Sequence, residues 1–388
     1  RRAAIVNGAF FANVSAAATA ATAATAPASG DASVPGARGP HNAVTAATLP
    51  QRETRRMSQE DVVLRALYGA EPEAVPPYTP DWAEVAGKET LRDAAMRHLV
   101  EIDRDLWDGR RVFVTGHTGF KGAWLSQWLD HLGASVSGYS DGTPTDPSAF
   151  DLLGLDRRLD HHVGDIRDRR RLADVIDEVR PEMVFHLAAQ PLVLRSIADP
   201  VETFEVNTMG MVNILECIRE RPEIQAAVLV TSDKAYRNEE WDRGYQETDH
   251  LGGHDPYSGS KSCAELVAHS YHHSFLRDAP TRIATTRAGN VIGGGDWASD
   301  RIVPDCIRAW SIGEAVTVRS PRATRPWQHV LEPLSGYLWL GARLLTDEQL
   351  DGEAFNFGPG AAQDETVADL IESMTQRWDG AHWKVAPG

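Results

Sequence analysis

Tyr257 and Lys261 stand four residues apart just after Pro256, in a stretch that reads as the opening of a helix. That spacing sets both side chains on one helical face. A lysine ammonium beside a phenol favours phenolate over an intrinsic pKa of about 10, giving a base that works near neutral pH. Earlier in the chain, Thr231-Ser-Asp-Lys-Ala-Tyr236 follows an apolar, strand-like run, and Ser232 can hydrogen-bond the hydroxyl that Tyr257 would deprotonate. By itself a Tyr-x-x-x-Lys pair is usually a solvated helix face. It gains meaning behind a strand-end serine and a nucleotide site.

Such a site is legible in Val112-Phe-Val-Thr-Gly116-His-Thr-Gly119-Phe-Lys-Gly122, with its glycines spaced by three between a strand and a helix. Gly116 permits a tight turn, Gly119 a close approach of backbone to pyrophosphate, and Gly122 close helix–strand packing. The helix N-terminus then offers phosphate its free N–H groups and positive dipole end. Ligands of such sheets lie at the carboxyl ends of strands. That rule adds Gly164-Asp165-Ile166, where Asp165 can accept from an adenine amino group. It also adds Leu187-Ala188-Ala189-Gln190, whose small residues let a cofactor pass close to the backbone. Ser140 and Asp141 follow the second strand. An acid there favours the free ribose of NAD over the phosphate of NADP, and solvated loop charge explains Asp141 equally well.

These groups need a scaffold, and from Asp108 onward the pattern supplies one. Strands are predicted at Arg111–Thr115, Ala134–Tyr139, Met183–Leu187, Ala226–Thr231 and Arg282–Arg287. Helices are predicted at Gly119–Leu132, Asp168–Val179, Val201–Arg219 and after Pro256. Alternation of this kind implies an α/β fold, a doubly wound parallel sheet covered on both faces. No internal repeat is visible. Residues 1–57 differ: Val14–Pro50 is dominated by Ala, Thr, Gly, Ser and Pro, a composition that predicts disorder. A translated upstream region or a linker is the expectation there, with Met57 a conceivable start. Residues 58–107 are read as partly helical, around Ser58–Leu67 and Thr90–Leu106, with no evident chemistry.

A formal charge of -16 argues against a general nucleic-acid or membrane-surface binder, yet leaves room for a local arginine cluster facing an anionic substrate. Cys217, Cys263 and Cys306 lie far apart without metal-ligand spacing, so no metal site is expected and the thiols read as helix-packing groups in a reducing compartment. No run approaches the roughly 18 apolar residues of a membrane span. A cytoplasmic enzyme is the expectation.

From Asp108 to the C-terminus the chain resembles the extended short-chain dehydrogenase/reductase family and, within it, the CDP-glucose 4,6-dehydratases. The segments that carry the likeness are Thr115–Gly122, His186-Leu-Ala-Ala-Gln-Pro-Leu-Val193, Thr231-Ser-Asp-Lys234 and Gly252-Gly-His-Asp-Pro-Tyr257. Two longer ones are Arg287-Ala-Gly-Asn-Val-Ile-Gly-Gly-Gly-Asp-Trp297 and Arg325-Pro-Trp-Gln-His-Val-Leu-Glu-Pro-Leu-Ser-Gly336. The resemblance implies a Rossmann core holding NAD and a smaller C-terminal substrate part. NAD would be held by Gly116, Thr118, Gly119, Phe120, Gly122, Asp165, Ile166, Ala188, Ala189, Gln190, Tyr257 and Lys261. It further implies that Ser232 and Tyr257 act in oxidation at sugar C4, and that Asp233 and Lys234 form the acid/base pair eliminating water across C5–C6. As a base Lys234 would need burial or a cationic neighbour to free its amine. Asn290, Arg301 and Arg325, with His329 nearby, are the implied partners of a nucleotide-sugar diphosphate. A homo-oligomer and a place in deoxysugar biosynthesis, such as that of lipopolysaccharide O-antigen, also follow from the likeness.

The pattern departs from that family at Ile197, where a tyrosine is usual, and at Met211, where a small residue is usual. The chain also ends at Trp383-Lys-Val-Ala-Pro-Gly388, before further expected elements, so a shortened substrate domain with weak stability or turnover is the expectation. A sugar-nucleotide 4-epimerase or dehydrogenase and a non-catalytic NAD-binding protein are the rival readings. The Asp233–Lys234 pair speaks against the first, and the presence of both Tyr257 and Lys261 against the second.

Overall fold

The computed structural model describes residues 104–241, 243–359 and 365–386. The low-complexity reading of 1–57 and the helix around Ser58–Leu67 lie outside them, as does most of the Thr90–Leu106 helix. Only α1 (Arg104–Trp107) is described there, and its Trp107 is fully buried under the sheet.

The core strands are β1 (Arg111–Thr115), β2 (Ser135–Ser140), β3 (Asp160–Val163), β4 (Met183–His186), β5 (Ala226–Val230) and β6 (Arg282–Ala288). With β11 (Ala354–Phe357) they form one parallel sheet in the order β11-β6-β5-β4-β1-β2-β3. The order reverses between β1 and β4, which opens a crevice at their carboxyl ends. Strand β1 shows why the sheet lies inside. Val112 and Val114 pack with Leu125, Phe185, Leu334 and Tyr337 on one face, while Phe113 packs with Leu172, Ile214 and Ala264 on the other. All three are wholly buried, as the two-residue period of a strand covered on both sides requires.

Four helices follow the first strands: α2 (Phe120–His131), α3 (Ala149–Leu152), α4 (Arg169–Val179) and α5 (Val193–Ala198). The predicted Val201–Arg219 helix is interrupted. It forms α6 (Pro200–Phe204), a π-helical turn at Glu205–Met209 and α7 (Gly210–Arg219). The widened turn carries the buried Asn207, whose amide bonds both backbone groups of Gln190 and the Ser260 hydroxyl. The π-bulge thus serves contacts with distant segments of the chain. Met211 is buried among the helix–sheet contacts, so its departure from the family pattern is a packing change.

Beyond α8 (Pro256–Tyr271) the chain builds a second, smaller core. Helix α9 (Ile302–Ser311) and β8 (Val316–Val318) precede α10 (Leu331–Leu344), and α11 (Val367–Thr375) follows β11. Cys306, Trp310, Val318, Leu370 and Ile371 form this core, while α10 returns to cover the sheet. No described helix is long and apolar enough to cross a membrane.

The turn between β1 and α2 is closed by backbone contact. A Cβ on Gly122 would lie 2.1 Å from the Gly116 carbonyl oxygen, and Gly116 itself has φ +73°. Gly122→Ala should lower stability by roughly 1–3 kcal/mol, as overpacking commonly does. Chemical denaturation would read this, and equilibrium dialysis should show weakened dinucleotide binding.

Candidate active site

A cavity of about 2090 Å³ lies at the sheet's carboxyl edge, between the strand ends and the smaller C-terminal core. Ordinary small-molecule pockets measure roughly 300–1,000 Å³, so this one has room for a dinucleotide and a second nucleotide together. Every residue selected from the sequence as cofactor-binding, catalytic or substrate-binding lines it.

At the dinucleotide end, Gly119 caps α2 without any side-chain acceptor. The amides of the first turn are therefore open to an anion. The loop is held rigidly. Thr118 Oγ1 donates to the Gly142 carbonyl at 2.6 Å, and His117 bridges Ser140 and His161 at 3.1 and 2.7 Å. Burial, followed by the His161 charge, brings His117 down to about 3, so the bridge is neutral. Ala188 and Ala189 line the same wall. The Gln190 side chain bonds Thr203 and both N and O of Leu192, which fixes the loop. Ile166 supports the wall by packing over Gly210. The Asp165 carboxylate is bound by Arg167 through three nitrogens, and that pairing lowers its pKa. These features fit a bound dinucleotide.

At the centre stand Ser232, Asp233, Tyr257 and Lys261. Strand β5 ends at Val230, and a short 3-10 turn (Asp233–Ala235) follows with Ser232 as its cap. Asp255 caps α8 by accepting from the Ser258 amide, and Pro256 occupies the first helical position, where its missing N–H costs nothing. Tyr257 and Lys261 are both buried on that helix. The Tyr257 amide donates to Ser196 Oγ at 3.1 Å, and its phenol meets Ser232.

Burial raises the Tyr257 pKa, and the Ser232 hydroxyl and Arg301 oppose the rise. Lys261 aims its ammonium at the Val230 carbonyl, 3.5 Å away. Burial lowers Lys261 to about 8, against the pull of Glu265 one turn on. Glu265 is itself paired with Arg287 at 2.8 Å, both almost fully buried. Thr231 and Thr285 also donate to this carboxylate, so its oxygens are satisfied without water.

On the substrate side, Arg301 pairs with Asp296 at 2.9 Å and Arg325 is exposed on β9 (Thr324–Arg325). Burial brings His329 down to about 4, so it can offer a diphosphate an N–H but no charge. Asn290 Oδ1, Trp297 Nε1, Trp327 Nε1 and Glu332 Oε2 are buried in the cavity wall without hydrogen-bond partners. Buried polar atoms are rarely left so, and a polar ligand would satisfy them. Burial pushes Glu332 up to about 7. Sequence reading selected neither Glu332 nor Lys121. Lys121 lies in the fingerprint itself, and its only signal there is a cation in the first turn of a helix otherwise built to pack. Burial, then Arg301, brings its amine down to about 8.

Two measurements follow. Glu265→Leu leaves Arg287 buried and unpaired, which should cost about 3–5 kcal/mol in urea unfolding. The Glu265→Leu, Arg287→Met double variant should recover part of that loss. Timed acetylation followed by mass spectrometry should find the Lys121 amine half-reactive near pH 8, against about 10.4 for exposed lysines.

The model of the NAD dependent epimerase/dehydratase family matches residues 112–358. The chain is 49% identical over 288 residues to the CDP-glucose 4,6-dehydratase of Salmonella typhimurium, covering 73% of this chain and 80% of that protein. Among solved structures it is similar to the epimerase Mth375 of Methanothermobacter thermautotrophicus, with TM-score 0.63 and 25% identity over 74% of this chain and 82% of that one. The DesIV dTDP-glucose 4,6-dehydratase of Streptomyces venezuelae, solved with NAD bound, shares the fold at TM-score 0.59 and 24% identity, over 71% and 85% of the two chains. With its glycine turn, reversed strand order and Tyr257–Lys261 helix at one cavity, the chain belongs to the NAD-dependent epimerase/dehydratase family.

Proposed function

We propose that this chain is a sugar-nucleotide 4,6-dehydratase that converts CDP-glucose to CDP-4-keto-6-deoxyglucose, with NAD as its resident cofactor. The observation that carries the reading is the convergence of Ser232, Asp233, Lys234, Tyr257 and Lys261 on one cavity beside the glycine turn. The likeness to the Salmonella enzyme supports the choice of nucleotide. NAD, when bound, supplies the acceptor for hydride from C4 and the donor that returns it to C6. Tyr257 takes the C4 hydroxyl proton, with Ser232 orienting that hydroxyl. The C4 ketone acidifies the neighbouring C5 hydrogen. Asp233 protonates the departing C6 hydroxyl, and the C5 proton passes to a lysine amine, for which the sequence offers Lys234.

Asn290, Arg301 and Arg325 hold the diphosphate in this reading, His329 adds a neutral donor, and Lys261 steadies the cofactor beside Tyr257. Cations around the cavity, Lys121, Lys234, Lys261, Arg301 and Arg325 among them, suit an anionic substrate despite the formal charge of -16. Residues 108–388 form the catalytic unit. We place the reaction in the cytoplasm, in a self-associating enzyme whose product enters deoxysugar biosynthesis such as that of lipopolysaccharide O-antigen.

Incubation with NAD⁺ and, in separate reactions, CDP-glucose, dTDP-glucose and GDP-mannose tests this. The expected product is a 4-keto-6-deoxy sugar from CDP-glucose, and Tyr257→Phe should reduce its rate by on the order of a hundredfold or more. A 4-epimer or a stable oxidised sugar as sole product would sink the dehydratase reading, and so would undiminished turnover by Tyr257→Phe.

A further inference from the structure

The run Gly293-Gly-Gly-Asp-Trp297 lines the cavity but has no task in the proposed reaction. Four of its residues touch four different parts of the site. A Cβ on Gly293 would lie 2.8 Å from Val330 Cγ1 and 3.1 Å from Phe120 Cζ, at the starts of α10 and α2. The Gly294 carbonyl accepts from Trp124 Nε1 of α2 at 2.8 Å. Gly295 has φ +84°, and a Cβ there would lie 2.8 Å from that of Ala149, the first residue of α3. Asp296 then turns to the substrate side, with Oδ2 2.9 Å from Arg301 Nη1. The run thus begins against the helix that follows the dinucleotide turn and ends on the arginine proposed for the diphosphate.

Asp296 is held on every side. Its side chain is only 7% exposed, and its Oδ1 accepts from the Ala298 amide at 3.2 Å. Arg308 of α9 latches the following turn by donating to the carbonyls of Trp297 and Ala298 at 2.9 and 3.2 Å. Asp300, directly before Arg301, has φ +62°. A non-glycine residue keeps that left-handed conformation only where its surroundings over-determine it. The carboxylate that Arg301 meets is therefore a fixed point.

A buried acid in the wall of an anion site repels the ligand. It is useful there only if it gains more by placing a cation than it loses by repulsion. A loose arginine side chain must be ordered when ligand binds, which weakens binding. Held at one nitrogen, a guanidinium keeps its remaining N–H groups in a set plane, a fork that matches phosphate oxygens.

We propose that Asp296 is a positioning residue, which holds the Arg301 guanidinium ready for the diphosphate of the substrate. The assignment rests on the nucleotide-sugar reading of the site. Through Gly294 and Trp124 the same run ties that arginine to α2. The diphosphate is thereby bound at a set distance from the dinucleotide turn, as delivery of sugar C4 to the cofactor requires.

The test reads CDP binding to the full chain loaded with NAD⁺ by isothermal titration calorimetry, which needs no turnover. In Asp296→Asn the amide oxygen can still accept from Ala298, but an NH₂ group then faces Arg301. Its Kd for CDP should rise by about threefold or more, and with CDP-glucose its KM should rise by more than its kcat falls. Asp296→Glu keeps the charge but moves the carboxylate, and should weaken CDP binding by a similar factor. In an Arg301→Met background, Asp296→Asn should change the Kd by less than about twofold, because the acid acts only through that arginine. Unchanged or tighter CDP binding by Asp296→Asn overturns the assignment, since repulsion then outweighs placement. So does a full further loss in the Arg301→Met background, or a fall in NAD content and melting temperature alongside affinity. If Asp296→Asn does not melt cooperatively, Asp296→Glu decides alone, and parental affinity there overturns the assignment. A parent that binds none of CDP, UDP, dTDP and GDP defeats the nucleotide-sugar reading first and this assignment with it. A parent that binds another of the four but not CDP refutes only the cytidine choice, and the same series is then read with that nucleotide.

Discussion

The Glu265–Arg287 pair lies almost fully buried where three segments of the site meet, and its geometry governs theirs. Arg287 belongs to the end of β6, Glu265 to α8, and Thr231, which donates to the same carboxylate, to the end of β5. Taking two charges out of water is costly unless every lone pair and N–H finds a partner. Here Thr285, the Tyr236 hydroxyl and the Glu247 carbonyl complete the set. Such a pair fixes orientation more than it adds stability, because any displacement leaves a charge uncompensated. Lys261 is one helical turn from Glu265, and Ser232 is next to Thr231. The polar pair thus sets the relative placement of a catalytic helix and a strand-end turn that are distant in sequence.

Burial then decides the protonation of the groups so placed. Lys121 and Lys261 are both held near 8. The Tyr257 phenol is raised by burial, with Ser232 and Arg301 opposing the rise. His117 and His329 are neutral for the same reason. The result is a site in which several groups lie near the point of losing or gaining a proton at neutral pH, which suits a reaction that moves protons at three neighbouring carbons. The net charge of the chain has little influence there, because fields are local in a low-dielectric cleft.

Much of this was legible from the residues. The glycine spacing at Gly116, Gly119 and Gly122, the alternation of strands and helices, and the Tyr257–Lys261 step each rest on local rules of turn geometry and periodicity. The helix expected at Val201–Arg219 was found with its ends nearly right and its interior wrong. The π-turn there serves Asn207 and Gln190, a contact between segments that no local pattern encodes. The Lys261 contact shows a similar limit of local pattern. Spacing puts two side chains on one face but does not say which acceptor the ammonium will choose, and Val230 supplied one.

The sequence alone determined the nucleotide-binding turn, the doubly wound class and the identity of the groups able to move protons, because these depend on residues within a few positions of one another. The tertiary structure decided which of those groups share a cavity and which charges each one feels. Lys121 shows the difference. Nine residues after Val112, it reads as one more position of the first helical turn. Only the folding of α10 and the α9 region over the strand ends brings Tyr337, Asp233 and Arg301 around it. Electrostatic environment is a property of groups assembled from distant parts of the chain, and the sequence states it only once the chain has closed.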